Sequence, residues 1–287
     1  MSYKKSILFL SLFAMILMII SSLSGILLDD GGNPYTFLSL RGENVEIYGG
    51  EGIYQYESVF KAVLFQGFDW ANLGVGLLVF IWGIVSFKRG KVKGQLLVAA
   101  FFSYLTYNYL IGVMGNAFNG LFLVWTSLFS VGLFGLILTL RDLDLSTFTK
   151  QLKSKFPRRS LSVYMLILGL FLLIQYLVEI LQAYGTGTIP ASLDVYTTLE
   201  LAALELGIMI PLHFIGGILL WKEKVAGYLT AIILLFTALM TFISLSVSSV
   251  LFFIHFERGT PVDMIIPIVL VIVASVYSVV VFRNIRD

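Results

Sequence analysis

Long apolar stretches alternate along the chain with shorter polar connections. Eight of them reach about twenty residues, the length that crosses a bilayer as an α-helix. The pattern therefore predicts an all-α integral membrane protein with eight transmembrane helices. The predicted spans are 6–28, 69–88, 95–115, 119–140, 161–183, 198–221, 225–250 and 264–282.

The first stretch has two interpretations. The small residues of Ser22-Leu-Ser-Gly25 are typical of a signal-peptide cleavage site. The apolar run continues beyond them through Leu28, which favours an uncleaved helix, and an uncleaved helix is our prediction.

Basic residues fall in every second connection. With a cytoplasmic N-terminus, sixteen of the nineteen Lys and Arg residues lie on the cytoplasmic side, and only Arg41, Lys61 and Arg258 lie outside. Basic connections are retained in the cytoplasm. The even number of spans then predicts that both termini are cytoplasmic.

The composition supports a membrane environment. The mean hydropathy is +0.93 and 13% of the residues are charged, against about a quarter in a soluble domain. We therefore expect membrane lipids as partners. A formal charge of +2 gives no indication of nucleic-acid binding, and the absence of cysteine excludes disulfides and thiolate metal sites.

Two connections are long enough to fold. In the connection 29–68, the stretches 36–41 and 44–48 read as two short strands around Gly42, which predicts a small extracytoplasmic β-hairpin cap. The basic cytoplasmic loop 141–160 is either a surface segment that touches anionic headgroups or a solvated linker.

The chain also contains a weak internal repeat. A shift of 133 residues superposes Gly74 on Gly207, Gly83 on Gly216 and Gly94 on Gly227. Four spans per copy preserve orientation, so the repeat predicts two parallel four-helix halves, 1–140 and 161–287, although glycines are common in membrane helices.

Ionisable residues inside spans are the first candidates for function because burying a charge in a bilayer is costly. Glu205 lies well inside the sixth span, whereas Glu179 and Glu200 are nearer the outer surface. All three are candidates to line one outward-opening polar cavity. The alternative for Glu179 and Glu200 is a simple interfacial position. For Glu205, burial predicts either a partner such as Tyr107 or Asn108, or a bound proton.

Tyr107 and Asn108 in the third span are candidate walls of the same cavity, and structural packing is their alternative role. His213 follows Pro211, and it is either a ligand-binding residue or a hydrogen-bonded core histidine. The predicted ligand- or ion-binding set is thus Glu205, Glu179, Glu200, Tyr107, Asn108 and His213.

No catalytic, nucleotide or metal motif is present, so we predict neither a cofactor nor a metal site. Asp29 and Asp30 form an acidic pair at the outer end of the first span, with interfacial solvation as the simpler explanation. His255, Glu257 and Asp263 form only a weak pattern for a cation site.

Several short motifs resemble an uncharacterised family of bacterial multi-pass membrane proteins. They are the stretch 41–49 with Gly52-Ile-Tyr54, Tyr107-Asn-Tyr109, Asn119-Gly-Leu-Phe-Leu and Glu205-x-Gly207-x-x-x-Pro211. The chain departs from that family in having Glu205 where aspartate is usual, and two residues, Gly50-Glu51, where one residue separates the glycines. The resemblance implies a bacterial cytoplasmic membrane protein and no particular activity.

These observations lead to three functional hypotheses. The first is binding or transport of a small solute or lipid through an outward-facing polar cavity. The second is a membrane-embedded enzyme that acts on a lipid-linked substrate with Asp29, Asp30 or Glu205 as acids. The third is a non-catalytic partner or sensor whose outer cap binds another protein.

Overall fold

The computed structural model describes residues 3–256 and 261–286, and only the backbone of 261–263. Within this part of the chain, eight helices are long and apolar enough to cross a membrane, which indicates a polytopic membrane protein as predicted. We number them span 1 to span 8. They are Lys4–Leu27, Val59–Lys88, Val92–Gly115, Phe122–Asp142, Arg158–Thr186, Glu200–Trp221, Val225–Phe256 and Pro261–Arg283.

Span 2 begins at Val59, ten residues before the predicted start at 69. Lys61 and Gln66 made this stretch look like part of the connection 29–68. Both side chains are nevertheless buried, and both have polar partners. Lys61 pairs with Glu200, and Gln66 donates a hydrogen bond of 2.7 Å to Asp29. Ser58 caps the helix by accepting a hydrogen bond from the backbone N–H of Lys61. The connection therefore ends at Ser58.

Spans 2 and 6 each contain one widened turn. It covers Asn72–Gly76 in span 2 and Glu205–Met209 in span 6. In span 2 the backbone N–H of Leu77 donates to the carbonyl of Asn72, and in span 6 that of Ile210 donates to the carbonyl of Glu205. Each bond spans five residues instead of the usual four. Such π turns in membrane helices often mark functional positions.

Span 3 is the most buried of the eight helices. Span 7 contacts helices from both the first four and the last four spans. Span 7 packs against spans 2 and 3, span 4 packs against spans 1 and 3, and span 5 packs against span 6. The buried face of span 3 carries Tyr104, which is completely buried and donates a hydrogen bond of 2.8 Å to Asn72 in span 2. The core thus runs through the centre of the bundle on span 3.

The predicted β-hairpin is present at one end of the bundle. Strand β1, Tyr35–Leu38, pairs antiparallel with β2, Asn44–Ile47, and Tyr35 lies opposite Ile47. Gly42 in the turn has φ of +85°, a conformation that glycine adopts without strain. A short 3₁₀ turn, Ala191–Leu193, lies in the connection between spans 5 and 6.

The opposite end holds Tyr3 and Arg286, the first and last residues that the structure describes. The backbone N–H of Tyr3 donates to Asp142 at the end of span 4, and Arg286 N–H donates to the carbonyl of Gln151. Gln151 ends a short helix, Leu145–Gln151, inside the basic loop 141–160. The loop is therefore folded and packed against the C-terminal end, and it is not a bare linker.

Candidate functional site

A cavity of about 730 Å³ lies within the helix bundle. Residues of spans 2, 3, 5, 6, 7 and 8 line it, and most of them are apolar. Phe171 of span 5 and Ile266 of span 8 are lining residues that remain 46% and 45% exposed. The cavity therefore opens on the side of the bundle between spans 5 and 8.

Spans 5 and 8 meet at the end of the bundle that holds the termini. There the rings of Tyr164 and Tyr277 lie 4.9 Å apart, and the Tyr277 hydroxyl donates to the carbonyl of Ser160. The lining residues of span 8, from Met264 to Leu270, precede this contact in the chain. The two helices thus touch near the termini and border the cavity nearer the hairpin end.

Glu205 is the buried carboxyl group in the cavity wall. It occupies the first position of the widened turn in span 6, and its Oε1 accepts a hydrogen bond from the hydroxyl of Tyr107 in span 3. Its Oε2 is buried and has no partner in the described part of the chain. The pairing with Tyr107 that the sequence offered as one possibility is present, and one carboxyl oxygen remains free.

Two further polar side chains line the same cavity. Asn108 follows Tyr107 in span 3, is 3% exposed, and makes no side-chain hydrogen bond to any described residue. His213 is 3% exposed and its Nδ1 lies 2.8 Å from the carbonyl of Met209, one turn earlier in span 6. The carbonyl accepts from Nδ1–H, which leaves Nε2 of His213 as a hydrogen-bond acceptor.

The structure brings together four of the six predicted site residues and separates the other two. Glu205, Tyr107, Asn108 and His213 line one cavity. Glu200 instead pairs with Lys61, and Glu179 accepts a hydrogen bond of 2.8 Å from the backbone of Ser192 in the connection between spans 5 and 6. Neither carboxylate is among the residues that line the cavity, so this cavity contains one of the three candidate carboxylates.

Gln175, Glu179 and Gln182 lie on one face of span 5, at intervals of four and three residues. Gln175 and Gln182 are exposed, and only Gln175 lines the cavity. Its neighbour Tyr176, for which the sequence gave no signal, lines the cavity as well.

A second polar group joins the hairpin end of span 2 to the connection between spans 5 and 6. We call Arg41, Glu57, Lys61, Tyr196 and Glu200 the Tyr196 cluster. The Tyr196 hydroxyl donates to Glu57, and Lys61 Nζ lies 3.5 Å from the centre of the Tyr196 ring while it pairs with Glu200. Arg41 in the hairpin donates to the carbonyl oxygens of Asp194 and Tyr196. The cluster ties the first half to the second.

Burial within this cluster raises the pKa of Glu57. Burial is the largest influence and raises the pKa of Glu57 to about 7, although the Tyr196 hydroxyl, Lys61 and the N–H of Ala117 act in the opposite direction. Burial and the neighbouring Glu57 carboxyl raise the pKa of Tyr196. Glu57 and Tyr196 are not among the residues predicted from the sequence. The available signal was Lys61, a lone lysine in an otherwise apolar stretch, which requires a buried partner.

Span 2 contains another buried carboxyl group, that of Asp69. Asp69 in span 2 is 4% exposed and accepts a hydrogen bond of 2.7 Å from Tyr54. A Cβ on Gly25 of span 1 would lie 2.0 Å from the Asp69 carboxyl, so only glycine allows this approach. Asp69 is not among the residues that line the cavity.

The acidic pair at the end of span 1 is engaged within the cap. Asp29 accepts hydrogen bonds from the Tyr48 hydroxyl and from Gln66, and burial raises the pKa of Asp29. Asp30 accepts from the backbone of Gly32. Neither residue lines the cavity. His255, one of the three residues of the possible cation site, lies in the last turn of span 7 with an exposed side chain. Glu257 and the side chain of Asp263 lie outside the described residues.

Comparison of the chain with protein-family models, with curated proteins and with solved structures found no match.

Proposed function

We propose that this chain is a multi-pass protein of a bacterial cytoplasmic membrane that binds a small solute or lipid in the side-opening cavity and transports it. The observation that carries the proposal is the cavity itself, with Glu205 in its wall and one carboxyl oxygen of Glu205 unpartnered. Ligand sites in proteins are concave and mainly apolar, with a few convergent polar groups, and measure roughly 300–1,000 Å³. The cavity meets each of these criteria.

The position of the opening favours a ligand that reaches the protein from the bilayer. A water-soluble solute would enter at an end of the bundle, whereas the exposed lining residues Phe171 and Ile266 lie on its side. Phe60 and Phe253 also line the cavity and are more than half exposed. An amphiphile or lipid fits this combination of an apolar entrance and a polar interior.

The distribution of basic residues supports the orientation. The short helix Leu145–Gln151 and the two termini lie at one end, which is the end of the basic connections. By the positive-inside rule that end is cytoplasmic. The hairpin and the Tyr196 cluster are then extracytoplasmic, and so is the end of the cavity nearer the hairpin.

The enzyme hypothesis receives less support. Of its three candidate acids only Glu205 lines the cavity, whereas Asp29 and Asp30 are hydrogen-bonded within the cap and neither lines it. The partner hypothesis is favoured by one observation: the hairpin exposes apolar side chains, and Leu40 in its turn is 92% exposed. Substitution Leu40→Ser would abolish co-purification of a protein partner if the hairpin bound one.

The binding proposal is tested by filling the cavity. Ala238 of span 7 lines the cavity and Ala226 of the same helix is exposed outside it. Native mass spectrometry of the purified protein, incubated with a bacterial lipid extract, should detect a bound small molecule on wild type and on Ala226→Trp, and none on Ala238→Trp. Equal retention by the two tryptophan variants would refute binding in this cavity.

A further inference from the structure

The charges in the cavity wall are unbalanced. Glu205 is its acidic residue, and neither lysine nor arginine is among the described lining residues. Lys61 is the basic side chain on the adjoining part of span 2, and it already pairs with Glu200 and donates to the carbonyl of Gly115. Within residues 3–256 and 261–286, no lysine or arginine side chain therefore pairs with the free oxygen of Glu205.

The other polar groups also offer acceptors. The Nδ1–H of His213 is directed to its own helix, so Nε2 presents a lone pair. The Tyr107 hydroxyl donates to Glu205 and is thereby used. The Asn108 and Gln175 amides each offer an acceptor and a donor group, and Tyr176 adds a hydroxyl. Among the described lining residues, Glu205 is thus the only carboxyl group, and no lysine or arginine accompanies it.

This arrangement selects for a positively charged group. A buried carboxylate without a partner is costly in an apolar environment, and a cation that pairs with it removes most of that cost. An anionic head would meet the Glu205 carboxylate, and no lysine or arginine among the described lining residues would neutralise it. Phosphate, pyrophosphate and carboxylate heads are thus disfavoured by the same groups that attract an ammonium.

We propose that the ligand of this cavity is an amphiphile with a positively charged amine or quaternary ammonium head. The head pairs with Glu205 Oε2, and the apolar body lies among the phenylalanines of spans 5 and 7, such as Phe171 and Phe253. The inference rests on the proposed function, because it assumes that the cavity binds an amphiphile. It adds the charge of the head and the residue that recognises it.

Three probes with one chain length and different heads test the inference. Dodecyltrimethylammonium, dodecanol and dodecanoate are titrated into the protein in lipid nanodiscs, and binding is followed by quenching of intrinsic tryptophan fluorescence with brominated chains. Each head is compared between variants of the protein, so its partition into the lipid cancels. The variants are wild type, Glu205→Gln, Glu179→Gln as the matched carboxylate outside the cavity, and Ala238→Trp.

We expect Glu205→Gln to weaken binding of the ammonium probe about tenfold or more, as for loss of a buried charge-assisted contact. It should leave dodecanol within about threefold of wild type, and Glu179→Gln should change neither probe. A loss on Glu205→Gln that is the same for all three heads would overturn the inference, as would tighter binding of dodecanoate than of the ammonium to wild type.

The cavity-filling variant separates this result from the proposed function. If Ala238→Trp abolishes binding of all three probes while Glu205→Gln has no head-selective effect, the cavity binds amphiphiles and the inference about charge is wrong. If Ala238→Trp binds every probe as wild type does, the probes do not use the cavity and both proposals fail. Thermal unfolding of each variant in detergent verifies that it is folded.

Discussion

Asn72 and Glu205 occupy the same position in two widened helical turns, one in span 2 and one in span 6, 133 residues apart. Both side chains are directed to span 3. The Tyr104 hydroxyl donates to Asn72 and the Tyr107 hydroxyl donates to Glu205. The two tyrosines lie one helical turn apart on span 3. Span 3 thereby links the two turns.

The same interval relates the tight connections that follow. A Cβ on Gly94 would lie 2.2 Å from the backbone nitrogen of Phe87, and a Cβ on Gly227 would lie 2.1 Å from that of Leu220. The regular helices before these connections, Leu77–Lys88 and Ile210–Trp221, also match end for end at this interval. These matches support our interpretation of the chain as two parallel halves related by an internal repeat.

The halves differ where the cavity lies. Span 4 packs closely against span 1 in the first half, whereas spans 5 and 8 border the cavity in the second. Asn72 is fully buried and hydrogen-bonded, while Glu205 keeps a free oxygen beside an open space. The turn of Asn72 thus lies in a closed part of the bundle, whereas the turn of Glu205 borders the cavity.

The glycines of the tight connections should be indispensable for stability. We expect Gly94→Ala and Gly227→Ala each to lower the free energy of unfolding by about 1–3 kcal/mol or more, because the new Cβ overlaps backbone atoms. Gly207→Ala is the matched control: nothing lies within 4 Å of its Cβ position, so the substitution should be neutral or slightly stabilising. Thermal unfolding in detergent measures the difference, and equal midpoints for Gly227→Ala and Gly207→Ala would contradict it.

Removal of one partner from the buried ion pair of Lys61 and Glu200 should lower the free energy of unfolding. Their side chains are 8% and 15% exposed. We expect Lys61→Met to destabilise the protein by about 3–5 kcal/mol, because it leaves a carboxylate without its cation. Lys88→Met, at an exposed position of the same span, should change stability by less than about 0.5 kcal/mol.

A double variant isolates the pair. Lys61→Met with Glu200→Gln should be more stable than Lys61→Met alone, because the unpaired charge is gone. A double variant that is less stable than both single variants would show that the pair does not act through charge compensation. Chemical denaturation in mixed micelles gives the four free energies of the cycle.

The sequence predicted most of the helices because long apolar runs have few alternative structures in a bilayer. It failed at the start of span 2, where Lys61 and Gln66 interrupt the apolar pattern although both are buried and paired. It identified Glu205 from its depth in span 6. It could not separate Glu205 from Glu200 and Glu179, because the partners of those two residues, Lys61 and Ser192, are distant in the chain.

The proposed orientation is tested by reporter fusions. Alkaline phosphatase fused after Tyr54 or Tyr184 should be active, because both positions lie at the hairpin end, and a fusion after Lys150 should be inactive, because it lies in the short helix at the opposite end. A green fluorescent reporter at the same three positions should give the reverse pattern. Phosphatase activity at Lys150 would invert the assignment of the two ends.

The Tyr196 cluster should make stability depend on pH through Glu57. Burial raises its pKa from 4.5 to about 7 in the folded protein, so between these values the folded state binds more protons than the unfolded state. The contribution of Glu57 to stability is therefore largest at acidic pH and is lost as the pH rises from about 4.5 to about 7. Over this range the loss is on the order of 3 kcal/mol.

The substitution Glu57→Gln keeps the shape of the side chain and removes its titration. Its amide oxygen can still accept from the N–H of Ala117, which donates to Glu57 at 2.7 Å in the wild type. We expect the variant to gain stability relative to wild type as the pH rises, with the difference constant above pH 8. Unfolding midpoints measured from pH 4.5 to 8 give this difference, in which all other titrating groups cancel. Parallel curves for the two proteins would mean that Glu57 has the same proton affinity in the folded and unfolded states.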